Sequence, residues 1–225
     1  MEIKPVAKIY TPFPTKFGIP RQSGLTETVA KIVFEKEYRV KEAVRGLEDY
    51  SHLWLIWEFS EMKNDGWSPT VRPPRLGGNR RMGVFATRSP NRPNPLALSC
   101  VKLERVDLDG AEAPVLYVSG ADILDGTPVY DIKPYLPYAD AVPDARGGFA
   151  DAVLGQSLAV SIPEDIKAVL GGRADALAEI LSQDPRPHYQ TDESRVYSFE
   201  FDGLHIEFIC RDGTAEVQKV TEIQR

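Results

Sequence analysis

No Gly-x-Gly occurs anywhere in the 225 residues, which removes the phosphate-cradling turn that opens a dinucleotide-type fold. Gly-x-Ser-x-Gly, His-Glu-x-x-His and Cys-x-x-Cys are missing too, so nucleophilic hydrolysis and zinc chemistry lack their parts. Cysteine is nearly absent. Cys100 and Cys210 each sit in an apolar alternating run, which reads as two small core residues rather than a disulfide or a metal site. The three histidines have no ligand spacing, and His52 reads as a structural histidine, with no acid or nucleophile clustered beside it. The N-terminus lacks the apolar core of a signal peptide, and no apolar run approaches the roughly 18 residues of a membrane span. A cytoplasmic protein with no membrane partner is expected. Acidic residues are missing from one long, arginine-rich stretch. From Gly66 to Leu103 there are six arginines, one lysine and no carboxylate, although the chain as a whole carries a net charge of −6. The remainder therefore holds 20 basic residues against 33 acidic ones. Such segregation makes a directed field, suited to a polyanion or to an anionic group of a cofactor. Pairing of these arginines with carboxylates from elsewhere in the chain is the other reading.

What is present divides at a linker. The 42% hydrophobic and 27% charged residues are ordinary for a globular chain. Ile3 to Tyr10 and Val29 to Phe34 read as strands, separated by a long loop with Pro14, Gly18 and Pro20. Val40 to Leu47 has the spacing of a short helix. Leu53 to Trp57 is almost unbroken apolar sequence, expected as a strand buried on both faces or lying against a partner chain. Trp67 to Met82, rich in proline, glycine and arginine, reads as an irregular arm. Leu96 to Leu108 and Pro114 to Val118 follow as strands joined at Asp109-Gly110. The expected fold class is mainly β: a closed or nearly closed β-barrel over residues 1–140, a linker over 141–155, and a small α+β domain over 156–225. In that last part, helix is expected from Pro163 to Leu181 with a break at Gly171-Gly172. Asp202-Gly203 and Asp212-Gly213 then separate three strands as hairpin turns.

The stretch from Gly83 to Leu103, GVFATRSPNRPNPLALSCVKL, is the one around which the chain is organised. Its prolines fix their own φ and push the preceding residues toward extended geometry, so polar side chains are held on a stiff backbone between two strands. A polar surface loop at an edge strand would look similar. RSPNRPNPLALS, with VRPPRLGGNRRMGVFAT before it, DGTPVYDIKPYLPY further on and DPRPHY near the C-terminus, resembles the TsaA-like (TrmO) family. That resemblance implies a β-barrel enzyme, dimeric, which uses S-adenosylmethionine to methylate N6 of threonylcarbamoyl-adenosine beside the anticodon of threonine tRNA.

Methyl transfer from a sulfonium suits such a site, because the leaving group is already activated and the enzyme has mainly to align donor and acceptor and exclude water. The resemblance implies a cofactor cradle of Pro20, Arg21 and Gln22 on one side and Arg88 and Leu98 on the focal loop and strand. Asp125, Gly126, Thr127 and Pro128 would form the other side, and Ser60 and Glu61 stand where the family carries a His-Gln pair. An arginine suits the methionine carboxylate through its planar fork, and Asp125 suits a ribose hydroxyl or an amino group. For Asp125-Gly126 a plain turn is the alternative. The candidate tRNA contacts are Arg72, Arg75, Arg80, Arg81 and Arg92, with phosphates as the main targets. Arg186 and Tyr189 offer a second basic and aromatic tip, where Tyr189 either stacks on a base or packs in a turn. No metal is expected, and no general base is identifiable. A non-catalytic RNA-binding barrel and a methyltransferase of small metabolites remain open alternatives.

Overall fold

The computed structural model describes residues 2–62, 67–73, 80–153, 155, 157–186 and 192–223. Six strands close into an antiparallel barrel in the order β1-β2-β7-β6-β3-β8. They are β1 (Ala7–Tyr10), β2 (Val29–Phe34), β3 (His52–Glu58), β6 (Leu96–Asp107), β7 (Val115–Ser119) and β8 (Thr127–Pro134). Alternation explains the closure. Ala7 and Ile9, Ala30 and Ile32, Leu53 and Leu55 point into one sealed interior and are fully or almost fully buried, as a period of two requires when one face of every strand is covered. The apolar run on β3 follows the same rule, with inner positions buried and outer ones half-buried, rather than being buried on both faces. A bulge between Ile56 and Trp57 shifts the β3–β8 register, and it falls where β3 leaves the barrel interior for its rim.

The expected helix at Val40 to Leu47 is replaced by three short 3₁₀ turns, Lys36–Tyr38, Lys41–Val44 and Leu47–Asp49. Gly46 at φ 82° breaks the run, since a left-handed residue cannot continue an α-helix. The arginine-rich arm carries a two-stranded ribbon of β4 (Thr70–Val71) and β5 (Met82–Gly83). A short helix, α1 (Pro137–Asp140), follows the barrel.

The C-terminal sheet has the order β10-β11-β12-β9. Its meander, β10 (Tyr197–Phe201), β11 (Leu204–Arg211) and β12 (Thr214–Glu222), turns at the two Asp-Gly pairs. All four turn residues have positive φ, the backbone of a type I′ hairpin. The strand β9 (Ala159–Ser161) pairs parallel to β12; it is too short to carry a periodic signal. Helices α2 (Glu164–Leu170) and α3 (Ala174–Ser182) pack on this sheet and are separated at Gly171, as the paired glycines suggest. Among the described residues, no helix is long and apolar enough to cross a membrane.

Two apolar cores result, and the loop after β1 belongs to the second. Phe13 is buried among Leu177, Phe201 and other residues of the C-terminal core, with Phe17 and Ile19 packed against the same cluster. The Phe17 ring lies 6.0 to 6.4 Å from those of Tyr197, Phe199 and Phe208, within the range of favourable aromatic pairing. Burial of Phe13 alone is worth about 1.5–3 kcal/mol. The backbone follows suit, since Asp202 N–H donates to the Pro12 carbonyl at 2.9 Å. Gly18 permits this approach. Its φ is +96°, and a Cβ there would lie 2.3 Å from Phe199 Cδ2. Gly18→Ala is therefore expected to destabilise the protein by about 1–3 kcal/mol for the backbone conformation alone, with the clash in addition. A calorimetric melting temperature equal to that of the parent protein would contradict this packing.

Candidate active site

The loop pinned by Phe13 and Phe17 continues into Pro20, Arg21 and Gln22, and these residues form one wall of a cavity of about 550 Å³. That volume is ordinary for a small-molecule site. The opposite wall is the start of β6 with the end of β3. Trp57 and Ser99 reach it from the barrel interior, while Trp54, Leu96 and Leu98 reach it from the outer face. Phe59 stands edge-on to Trp57 at 4.6 Å between ring centroids and is fastened by its N–H to the Pro95 carbonyl at 2.9 Å.

The Pro20–Gln22 wall is held from three directions. The Arg21 guanidinium donates to the Asp184 carbonyl, and the Arg21 N–H to Gln183 Oε1 at 3.3 Å. Ser23 Oγ accepts from the Cys100 N–H of β6 at 3.1 Å. Gly24 N–H donates to the Gly120 carbonyl at 2.8 Å. Arg88 Nη1 donates to Gln22 Oε1 across the cavity, which sets the focal loop against this wall. Ser60 and Glu61 lie at the mouth, and Glu61 pairs with Lys16 at 3.1 Å.

A carboxylate overlooked in the sequence faces the same space. Asp122 accepts from Ser99 Oγ at 2.6 Å, and Ser99 Oγ in turn accepts from Trp57 Nε1 at 2.9 Å. Burial pushes the Asp122 carboxyl above the ordinary aspartate range, against the opposing pull of the Ser99 hydroxyl, the Asp122 and Ser23 N–H groups and the Arg88 charge. One signal was available. Asp122 is flanked by Ala121 and Ile123, both buried, and a lone acid between two core positions has to meet a partner or a ligand.

The other expected residues divide. Thr127 lines the cavity together with Leu124, but Asp125, Gly126 and Pro128 do not. The Asp125 carboxylate accepts from the Thr11 N–H at 2.9 Å and its own N–H donates to the Phe13 carbonyl at 2.9 Å. It thus fastens the loop after β1 and borders a small hollow with Asp202. Gly126 N–H donates to the Ile9 carbonyl, and Pro128 lies opposite Lys8 in the barrel. These three residues are engaged at the β1–β8 junction, and Asp122 is the carboxylate that lines the cavity.

Arg72, Arg80 and Arg81 are exposed, with Arg81 Nη1 donating to Thr70 Oγ1 at 3.2 Å. Arg92 lines the cavity mouth and donates to the Thr87 and Ser89 carbonyls at 2.9 and 3.2 Å, so it organises its own loop. No ion pair among the described residues involves Arg72, Arg80, Arg81, Arg88 or Arg92. Arg186 differs. It grips Asp184 through Nε and Nη2 at 2.8 and 3.0 Å, and the two side chains are only 16% and 22% exposed. Its guanidinium is thus committed to two carboxylate oxygens within the C-terminal unit. Arg75 and Tyr189 lie outside the described residues.

Aromatic and aliphatic walls with a guanidinium and a carboxylate in one cavity define a site for a nucleoside-like ligand that carries both signs of charge. The protein is thus of the class in which a β-barrel, not a doubly wound sheet, presents such a ligand. The tRNA-methyltransferase O N-terminal domain matches residues 8–141 and the TrmO C-terminal domain matches residues 156–223. The chain belongs to the TrmO family. It is 39% identical to a tRNA (adenine(37)-N6)-methyltransferase of Escherichia coli, over 96% of each chain. A protein of the same name from Eikenella corrodens is 48% identical, over 78% of this chain and 99% of the other. A crystal structure of TrmO from Pseudomonas aeruginosa superposes with a TM-score of 0.78 at 35% identity, covering 98% of both chains.

Asp122 yields a test with a defined sign. Its folded pKa is raised above the unfolded value, so its contribution to stability is fully present in acid, below about pH 4, and is lost as the pH rises through the folded value. Asp122→Asn keeps an acceptor for Ser99 and Ser23 and cannot ionise. The variant is expected to lose less stability than the parent between acid and pH 8, measured as melting temperature across that range. Parallel curves for the two proteins would contradict the burial effect.

Proposed function

We propose that this chain methylates N6 of threonylcarbamoyl-adenosine beside the anticodon of threonine tRNA, acting as a cytoplasmic homodimer with S-adenosylmethionine as donor. The observation that carries the reading is one cavity, walled by Trp57 and Phe59, that holds Arg88 and Asp122 together and meets the arginine-bearing loop at Arg92. The cavity residues fit the donor: flat apolar surfaces for the adenine, a cation for the methionine carboxylate and an anion for its ammonium group. When bound, S-adenosylmethionine supplies an electrophilic methyl on a positively charged sulfur, so no side chain has to activate the leaving group.

The chain's own residues bind and orient. Arg88 would grip the methionine carboxylate, steadied by Gln22, and Asp122 would take the ammonium group in the place assigned to Asp125. Pro20, Arg21, Leu98 and Thr127 would complete the cradle, with Ser60 and Glu61 at its mouth. Arg72, Arg80 and Arg81 would meet phosphates, which fix the RNA's position without reading its sequence. The C-terminal unit would serve the site first as a brace, since Gln183 and Asp184 hold the wall that carries Arg21.

Mass spectrometry of nucleosides from threonine tRNA, after incubation with the protein and S-adenosylmethionine, tests the activity directly. Unmodified threonylcarbamoyl-adenosine after full incubation would refute it. Arg88→Ala is expected to weaken S-adenosylmethionine binding by about 1.5–3 kcal/mol, the scale of a charge-assisted hydrogen bond, measured by calorimetry. Unchanged affinity in a folded variant would withdraw Arg88 from the cradle.

Leu96 and Leu98 are exposed at the cavity edge, and an apolar lip of this kind supports the dimer, because a second copy would cover it and exclude water. Sedimentation is expected to give a dimer at micromolar concentration, and a fully active monomer would count against the assembly.

A further inference from the structure

Phe85 is 74% exposed and Trp67 52% exposed, and the two rings face one another with centroids 6.5 Å apart and planes inclined at 32°. They are brought together by the β4–β5 ribbon. Thr70 pairs with Gly83 and Val71 with Met82, so the chain before β4 and the chain after β5 leave the ribbon side by side. The Val84 N–H then donates to the Pro69 carbonyl at 3.0 Å, and the Val84 side chain is buried at 1% exposure. That anchor turns the next residue outward. A 3₁₀ turn over Val84–Ala86, closed by the Thr87 N–H on the Val84 carbonyl at 3.1 Å, holds Phe85 in this attitude. The Arg92 guanidinium lies 5.9 Å from the Phe85 ring centroid.

Folding gains little from a phenyl ring left in water, so a rigidly presented, paired aromatic surface points to a ligand. Its surroundings say which kind. The rings stand in the stretch from Gly66 to Leu103 that contains no carboxylate, with exposed Arg72, Arg80 and Arg81 nearby in the chain. The same patch of a second copy laid on this one would bring like cations against each other, unlike the Leu96 and Leu98 lip proposed for the dimer. A nucleobase from an unpaired RNA segment has the complementary character, with a flat face for stacking and a phosphate on either side for the arginines. Arg92 and Thr87 also line the cavity proposed for the methyl donor, so the aromatic surface adjoins its mouth. We propose that Phe85, with Trp67 beside it, is a stacking platform for an unstacked base of the anticodon loop next to the adenosine being methylated. This rests on the tRNA reading above and adds to it the place where single-stranded RNA is recognised.

The test uses the full chain and two RNA probes, a threonine tRNA anticodon stem-loop and a blunt duplex of equal length, each titrated across a range of salt. Phe85→Ala is expected to weaken stem-loop binding about tenfold, while duplex affinity, S-adenosylmethionine affinity and the slope of log affinity against log salt stay as in the parent. Phe85→Tyr should retain stem-loop binding, and Phe85→Leu should not, because an aliphatic chain restores apolar area without a π face. In the parent protein, indole fluorescence should fall on stem-loop binding, and Trp67→Phe should remove most of that change. Equal losses on stem-loop and duplex, full binding by Phe85→Leu, or a change in sedimentation of Phe85→Ala would each overturn the platform. Parent protein that binds neither RNA would overturn the tRNA reading and the platform with it. Binding of the stem-loop that is indifferent to Phe85 would overturn the platform alone.

Discussion

Insertion of Phe13 and Phe17 into the C-terminal core is the contact on which the rest of the structure depends. The two aromatic residues belong by sequence to the barrel half, yet their burial is completed by Leu177, Phe199, Phe201 and Phe208. Everything from Pro20 to Gly24 follows from that anchorage. The segment leaves the second core with its direction set, meets Gln183 and Asp184, crosses to β6 through Ser23 and reaches Gly120. A loop fastened at so many points can act as a wall, because its side chains need not be ordered again when a ligand arrives.

The distribution of charge is the second organising constraint. Most ion pairs among the described residues are exposed contacts between near neighbours, such as Lys102 with Glu104 and Lys167 with Glu164, and contribute little to stability. The arginines of the focal region stand apart from them. Their charge is left available because the sequence around them contains no acid, and the acidic surplus elsewhere discourages anionic ligands from settling on other faces. Asp184, by contrast, neutralises Arg186 inside the C-terminal unit.

Much of the barrel was legible in the sequence because alternation is a local property. β2 coincides with Val29–Phe34, β6 ends within one residue of the expectation, and both Asp-Gly turns are hairpins. The helix expected near Val40 failed where Gly46 demands a left-handed backbone, a conflict that periodicity alone does not register. Site residues supplied by contiguous motifs, Pro20 to Gln22, Arg88 and Leu98, do line one cavity. Those that do not line it are engaged elsewhere for a three-dimensional reason: the Asp125 carboxylate accepts from the Thr11 N–H, 114 positions away in sequence. Ser99 lies on β6 and Asp122 in the connection between β7 and β8, and they share no motif, so only closure of the barrel reveals them as partners. The aromatic clamp on the loop after β1 was likewise illegible, since contacts 180 or more residues apart leave no local trace.

The bond between Arg21 and Asp184 spans 163 positions of sequence. On the ribosome, residues emerge at about 5–20 per second, so Arg21 is exposed for many seconds before its partner exists. The barrel can pair all six of its strands in that interval, but its ligand wall lacks the support of Gln183 and Asp184 until α3 has been made. Completion of that wall therefore falls late in synthesis, after most of the second half has been built.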